Sequence, residues 1–439
     1  MNTRTGIRLA ADLDALGREE IDSLRQHNLT RMLDVARRTP ALLGRLPELK
    51  AVQHVEDLPR LPVLTAAALA DDCPPRSDEF LLDGGRPGMV LRSSGTAGKV
   101  KMMYHSWEFN EQISALGARG LRAGLVEQPR LVANCLFAAE LNGAFLFAHE
   151  VTRLLSARVF PIGSTTGVEK TAQVLSEHAV DTLIAAPGFG TDLLTSAPSG
   201  ELAALRTFLF IGESLGTART KAIADALPEL DVRSLGYSTT ETGCIGYQCT
   251  HQTGTVHHVH DDTVIVEIVD GGTGRQLPEG EAGDVVVTPL SDTGMALFRY
   301  RIGDRGRLSS QPCPCGSRAQ VLTLLGRSAQ SLNVDSQTFS TDQVLGRLAL
   351  LGISDPADFQ LQVLWDVNRY RVRLLLSLDA PEEITHSAVA EAFSGAYEIH
   401  ELVTGPRCRE FTVERVDTAD FERTERGKVP TLYQRPANA

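Results

Sequence analysis

Leu91-Arg-Ser-Ser-Gly-Thr-Ala-Gly-Lys-Val-Lys101 is the stretch on which the reading of this chain turns. It gathers Ser93, Ser94, Gly95, Thr96, Gly98 and Lys99 into one short segment. That composition makes poor helix and poor strand, so a loop is expected. Two glycines let the backbone turn tightly and approach a ligand closely. Hydroxyls, exposed N–H groups and a lysine suit phosphate oxygens. A Walker A loop is excluded. That motif carries four residues between its glycines and Ser or Thr after its Lys; here two residues separate Gly95 from Gly98, and Val100 follows Lys99. Taken alone, the segment is equally an ordinary polar surface loop.

Length and composition narrow the alternatives. At 439 residues the chain can hold two or three domains, each with its own core. A formal net charge of −12 argues against a nucleic-acid-binding surface, which needs a basic face. No apolar h-region follows Met1-Asn-Thr-Arg-Thr-Gly-Ile7, and no run reaches the length of a membrane span. A cytoplasmic protein with neither membrane nor nucleic-acid partner is expected. Seven cysteines, an odd number in a long chain of this kind, suggest thiols or metal ligands rather than a disulfide framework.

Working outward, residues 12–46 carry apolar positions near helical spacing. Leu58-Pro-Arg-Leu-Pro-Val-Leu-Thr65 holds two prolines and cannot be regular helix, after which Thr65 can cap a short helix. Met89-Val-Leu-Arg92 enters the loop as a strand. From Gly120 onward apolar strands (131–137, 159–162, 182–186, 207–211) alternate with amphipathic helices (168–178, 217–226), which predicts parallel sheets covered by helices. Ligands collect at the carboxyl ends of such strands. After Cys249 the β-rich runs 263–269 and 284–288 flank a glycine turn, an antiparallel layer. A further reset near Ser328 predicts a small α+β domain. The expected fold class is therefore α/β: a large N-terminal domain (1–327) with helix-covered parallel sheets plus a β-rich layer, and a small mobile α+β domain (328–439).

Four more segments fit the opening loop: Tyr237-Ser-Thr-Thr-Glu241, Arg299-Tyr-Arg-Ile-Gly-Asp304, Gly326-Arg327 and Arg423-Thr-Glu-Arg-Gly-Lys428. With Ser-Ser-Gly-Thr-x-Gly-Lys, this order resembles the adenylate-forming superfamily of acyl-CoA synthetases, luciferases and peptide-synthetase adenylation domains. Within it the chain is most similar to phenylacetate-CoA ligases, and the similarity runs over nearly the whole chain.

The resemblance implies a reaction in which a carboxylate attacks the α-phosphate of ATP and expels pyrophosphate. Two anions must then be brought together and charge held in the transition state. It implies that Ser93, Ser94, Gly95, Thr96, Gly98 and Lys99 wrap the β- and γ-phosphates. Thr240 and Glu241 would lie near the α-phosphate, with Glu241 holding Mg²⁺, a cation that prefers carboxylate oxygen. Gly212, Glu213 and Tyr237 would line adenine, Asp304 would accept from the ribose hydroxyls, and Arg327 would approach ribose or phosphate. Lys428 would bridge the reacting carboxylate and the α-phosphate. Pocket candidates for a small-molecule acid are Phe137, Ala138, Glu140, Asn142 and Gly143, then Pro187 and Gly188, then Gly236. Family precedent favours a small aromatic acid, and Glu140 with Asn142 suits hydroxyl or amino substituents. Each of Glu241, Asp304 and Lys428 also has a plain reading as a cap, a surface ion pair or a solvated tail.

Cys313-Pro-Cys315-Gly and Cys249 supply three thiols, and three thiolates with one imidazole suit a tetrahedral structural zinc. The family's arrangement places His258 as the fourth ligand, with His257 its neighbouring rival. Cys73, Cys135, Cys244 and Cys408 read as inert. Ala97 replaces a usual Thr and Ser238 a common Gly, but the more telling departures concern the second half-reaction. Ala329 stands where the family's hinge has Asp, and Asp335 where the phenylacetate type has Gly. Coenzyme A is the expected acceptor. An acyl carrier protein, or ATP-dependent diazotisation of an aryl amine with nitrite, is the alternative, and a non-catalytic nucleotide- or acyl-binding scaffold is the reading from another class. A homodimer is compatible with all of these.

Overall fold

The computed structural model describes residues 6–82, 85–96, 99–327, 331–335, 337–423 and 429–436, without the side chains of residues 94–96, 99, 199, 331 and 436. The chain forms two compact units. The first comprises residues up to Ser93, Lys101–Gly216 and Ile223–Gly326; the second takes Arg327 onward with the stretches 94–100 and 217–222.

The amino-terminal helical run is broken. Helix α1 spans Arg18–Ala36 and α2 spans Pro40–Arg45, where one helix over 12–46 was expected. Pro40 disfavours helical geometry at Thr39 and has no N–H to donate, so the chain restarts there. α1 itself begins after Gly17, whose N–H donates to Glu20 Oε2 at 2.8 Å. As expected, Thr65 Oγ1 accepts from the Ala68 amide at 3.2 Å and caps α3 (Ala66–Asp72).

The opening stretch is not a free loop. β1 (Gly88–Thr96) and β2 (Lys99–Ser106) form a two-stranded sheet. Backbone pairing with β2 overrides the weak strand propensity of the Ser/Gly run; Ala97 and Gly98 lie outside the described residues. Ser106 then caps α4 (Trp107–Gly124) by accepting from the Phe109 amide at 3.1 Å.

The expected parallel sheet follows. β3 (Leu131–Asn134), β4 (Arg158–Pro161), β5 (Thr182–Ala185), β6 (Thr207–Phe210) and β7 (Asp231–Ser234) pair in the order β4-β3-β5-β6-β7, all parallel. Alternation along each strand sorts the two faces. Val132, Ile184 and Leu209 pack with Ala118 and Leu121 of α4 and with Ala148 and Val151 of α5 (Ala144–Leu154). Ala133, Leu183 and Phe208 pack with Ala172 and Leu175 of α6 (Val168–Glu177) and with Leu193 of α7 (Pro187–Ser196). The chain runs from β3 outward to β4, then crosses to β5 on the other side of β3. The strand order therefore switches between β3 and β5, where open α/β sheets open a ligand crevice.

The β-rich layer is a seven-stranded sheet. Its strands are β8 (Tyr237–Thr239), β9 (Gly243–Tyr247), β10 (Val256–Val259), β11 (Val264–Val269), β12 (Gly283–Pro289), β13 (Tyr300–Ser309) and β14 (Val321–Arg327), in the order β11-β12-β13-β14-β10-β9-β8. The two-proline segment docks onto it: Leu64 bridges Tyr300, and the buried Arg299 donates to the carbonyls of Pro59 and Leu61 while pairing with Glu267. The second unit carries a four-stranded sheet and helices over its own core, including Phe339, Phe359, Leu374 and Phe393. No helix among the described residues is long and apolar enough to cross a membrane.

Gly190 on α7 is a close approach. A Cβ there would lie 2.3 Å from Phe208 Cζ, a ring with no exposure. Helix propensity favours Ala over Gly by about 1 kcal/mol, yet overpacking costs about 1–3 kcal/mol. Gly190→Ala should therefore destabilise in urea unfolding, and in a Phe208→Leu background the same change should become neutral or stabilising.

Candidate active site

Glu241 lies in the turn between β8 and β9. Its side chain is buried, and Oε1 accepts from Ser93 Oγ at 2.6 Å, from Tyr300 OH at 3.1 Å and from Lys101 Nζ. Lys101 Nζ also donates to Tyr300 OH at 3.0 Å. Burial by itself would push the Glu241 carboxyl up. The Lys101 ammonium and the Ser93 hydroxyl outweigh it and hold the group at about 2. Burial likewise opposes the charge on Lys101, and Glu241 overcomes it, so the ammonium is held above its ordinary range. The result is an ionised pair in a nearly dry site.

A second contact lies beside the first. Tyr237 OH donates to Asp304 Oδ2 at 2.6 Å. Tyr300 and Asp304 both lie on β13, on either side of the left-handed Gly303 (φ 88°), where the pairing with β12 shifts register. Tyr237 and Glu241 stand four apart at the other side. β8 and β13 are separated by four strand steps, about 19 Å in a flat sheet. Direct contact between their side chains means the sheet curls until its β8 edge faces β13. Thr239 Oγ1 and Thr242 Oγ1, 2.9 Å apart, close the base of the turn that presents Thr240 and Glu241.

The two loops flanking the strand-order switch hold most of the other expected pocket residues. Phe137, Ala138, Glu140, Asn142 and Gly143 follow β3, and Pro187 and Gly188 open α7 after β5. Residues 139–142 close a tight turn through an Asn142 N–H bond to the Ala139 carbonyl at 3.0 Å, with Glu140 and Leu141 both left-handed (φ 56° and 60°). Arg92 holds that turn, its amide bonding to the Leu141 carbonyl at 3.0 Å and its guanidinium 3.6 Å from Glu140. A cavity of about 170 Å³ is lined by Phe137, Ala138 and Phe145 with Pro161, Ile162 and Thr165. It takes in the first two expected pocket residues but lies on the β4 side, away from Pro187 and Gly188. Gly236 sits between β7 and β8. Gly212 follows β6 with a left-handed φ of 100°, and Glu213 comes next.

Cys249, His258, Cys313 and Cys315 also converge, their ligand atoms all within 4.8 Å of one another. Cys249 Sγ stands 3.7 Å from Cys313 Sγ, and Cys315 Sγ 3.3 Å from His258 Nε2. Zinc–sulfur bonds of ~2.3 Å at tetrahedral angles give sulfur separations of ~3.8 Å, so the donor set fits that ion. His258 Nδ1 lies 3.3 Å from the Ala319 carbonyl, which leaves Nε2 with its lone pair toward the sulfurs. His257 falls on the opposite face of β10, its ring 5.7 Å from that of Tyr237.

In the second unit Arg327 Nη2 donates to Thr338 Oγ1 at 2.8 Å. Asp335 takes a left-handed φ of 52°, the conformation that explains a glycine preference there, and pairs with Arg407 at 3.1 Å. Asp is among the few non-glycine residues that tolerate it. Lys428, Ala329 and Gly98 lie outside the described residues, as do the side chains of Ser94, Thr96 and Lys99.

Residues 23–290 match the family model described as AMP-binding enzyme. The chain belongs to the AMP-binding enzyme family. Among its relatives, a phenylacetate-coenzyme A ligase of Thermus thermophilus is 26% identical over 332 residues, covering 73% of each chain. One of Pseudomonas putida is 23% identical over 386 residues, covering 85% of this chain and 84% of its own. A crystal structure of 2-hydroxyisobutyryl-CoA ligase, in complex with 2-HIB-AMP and CoA in the thioesterification state, superposes with a TM-score of 0.77 at 18% identity. That match covers 97% of this chain and 91% of the other, and shows a shared fold.

Lys101, Tyr300 and His105 escaped the sequence reading. Lys101 and His105 alternate with the half-buried Met102 and Tyr104 along β2, on the face that also carries the buried Met103. A lysine at an apolar-face position was the signal for the first of them.

The buried pair makes a stability prediction. Lys101→Met strands the Glu241 carboxylate without its cation and should cost about 3–5 kcal/mol in urea unfolding, while adding Glu241→Gln should recover most of the loss. Because the folded carboxyl titrates below its ordinary value of 4.5, the stability from the pair is complete above that value and falls as pH drops toward about 2. The double variant should lack that acid-dependent loss.

Proposed function

We propose that the protein is an ATP-dependent, AMP-forming ligase that adenylates a small aromatic carboxylic acid and passes the acyl group to coenzyme A. The observation that carries the reading is the ionised Glu241–Lys101 pair, buried with Ser93 and Tyr300 at the tip of the curled sheet. Family membership supports the AMP-forming step. The names of the phenylacetate-coenzyme A ligase relatives support an aromatic acid.

The chemistry follows from charge. Joining a carboxylate to the α-phosphate needs cations near both anions and a way to hold the charge that builds up. Arriving phosphates offer the Lys101 ammonium a second anion, and turning toward them frees an oxygen of Glu241. Magnesium, which takes one or two carboxylates plus phosphate oxygens, would then be held by Glu241 and would neutralise phosphate charge. Asp304, which accepts from Tyr237, would take the two ribose hydroxyls, for which a carboxylate has the geometry. Ser93 to Lys99 would surround the outer phosphates, with Thr240 beside the α-phosphate. Lys428, in a C-terminal domain from residue 328, would close on the reacting carboxylate. Phe137, Ala138 and Glu140, in the loop after β3, would line the acid pocket.

Pyrophosphate release from ATP, assayed across benzoates, arylacetates and arylacrylates with and without coenzyme A, tests the reading. It predicts release with at least one aromatic acid and a thioester when coenzyme A is present. Release without thioester, the outcome that Ala329 at the hinge position raises, would move the acceptor to a carrier protein or, with aminoaryl acids and nitrite, to diazotisation. ATP binding with no acid-dependent release would leave a scaffold.

The four-donor cluster is proposed to hold a structural zinc that staples β10 to the loop before β14. Protein purified without chelators should contain about one zinc per chain by elemental analysis, and Cys313→Ser with Cys315→Ser should abolish it and lower the unfolding temperature.

A further inference from the structure

His105 lies behind the turn that carries Thr240 and Glu241, and nothing in the reaction scheme uses it. It is buried, and its Nε2 lies 2.7 Å from the Thr240 carbonyl oxygen. Burial lowers its pKa, so the ring is neutral, and the single ring proton must sit on Nε2 to meet a carbonyl acceptor. On its other side the ring meets Phe109 edge-on at 4.9 Å and 82°, and the backbone that carries it is braced by Asn110 Nδ2, which donates to the Ser106 carbonyl at 3.0 Å. Ser106, the next residue, caps α4 and shares a 2.8 Å hydrogen bond with Thr293. β2 thus presents two donors on one face, four residues apart: Lys101 to the Glu241 carboxylate and His105 to the preceding carbonyl.

The carbonyl of Thr240 and the N–H of Glu241 belong to one planar trans peptide, so they point in opposite directions. Holding the carbonyl fixes the amide, and that amide lies against the carboxylate of its own residue. We propose that His105 is a positioning residue for the adenylation step, locking the Thr240–Glu241 peptide in the orientation that sets Glu241 against Lys101 and Ser93. The inference rests on the reading above in that it assigns Glu241 to magnesium–ATP.

Three variants test it. His105→Phe fills the volume without a donor, His105→Gln keeps an amide donor at similar reach, and His105→Ala removes both. Loss of one buried neutral hydrogen bond, leaving a carbonyl unpaired, should weaken use of magnesium–ATP about tenfold. In acid-dependent pyrophosphate release, His105→Phe should show that loss in kcat/KM for ATP, with KM for the acid unchanged, and His105→Gln should restore most of it. Calorimetric binding of magnesium–ATP should follow the same order. Equal impairment of the Phe and Gln variants, or wild-type behaviour of the Phe variant, overturns the proposal. If His105→Ala does not fold, the Phe and Gln pair decides alone. If the wild type shows no acid-dependent release, the adenylation reading fails, and the order of ATP affinities still decides the role of His105.

Discussion

An ionised carboxylate and an ammonium sit together where little water reaches them. Removing each from water costs several kcal/mol, and attraction alone repays this only with good geometry and extra hydrogen bonds. Ser93 and Tyr300 supply those bonds to Glu241 Oε1. Each of the four residues comes from a different part of the chain: β1, β2, the β8–β9 turn and β13. The two-stranded β1–β2 sheet and the curled seven-stranded layer bring them within hydrogen-bond range. An apolar cluster would have been the cheaper way to fill that space. A charged one suits the triphosphate and cation of the proposed reaction.

The curl of the sheet is the geometric counterpart of that cluster. In a flat sheet Tyr237 and Asp304 would stand too far apart to touch. Curling sets two contacts side by side, Tyr237 with Asp304 and Glu241 with Tyr300, each spaced four residues along its own segment. β10 has one face toward Tyr237, through His257, and the other in the cysteine cluster, through His258. A zinc at that cluster would stiffen β10, whose other face sets the His257 ring against Tyr237.

Much of this was legible in the sequence. The strands 182–186 and 207–211 and the helix 217–226 were visible because period and flanking glycines agreed, and each closes within a residue of Thr182–Ala185, Thr207–Phe210 and Thr217–Ala226. The helix over 12–46 was overdrawn because periodicity outlasts the break that Pro40 imposes. The Ser/Gly run was read as loop, since its propensity is weak and its pairing with β2 is a tertiary fact. Motif order brought Glu241, Tyr237 and Asp304 forward; the structure pairs Tyr237 with Asp304 and sets Glu241 beside Lys101 and Tyr300, which no motif singled out. Lys101 was hidden by Lys99, which already satisfied the expectation of a phosphate lysine. His105 was hidden because its partner is a backbone carbonyl, which leaves no trace in residue type. His258 could be separated from His257 only once strand alternation assigned each to a face.

The account depends on the Glu241–Lys101 pair serving ATP rather than the fold alone. Calorimetric titration of magnesium–ATP into the wild type and into the Lys101→Met, Glu241→Gln double variant separates the two roles, because the neutral pair leaves no stranded charge. Two charge-assisted contacts are worth about 1.5–3 kcal/mol each. The double variant, folded and close to wild type in unfolding midpoint, should therefore bind at least about a hundredfold more weakly. Equal affinity in the two proteins would contradict the account.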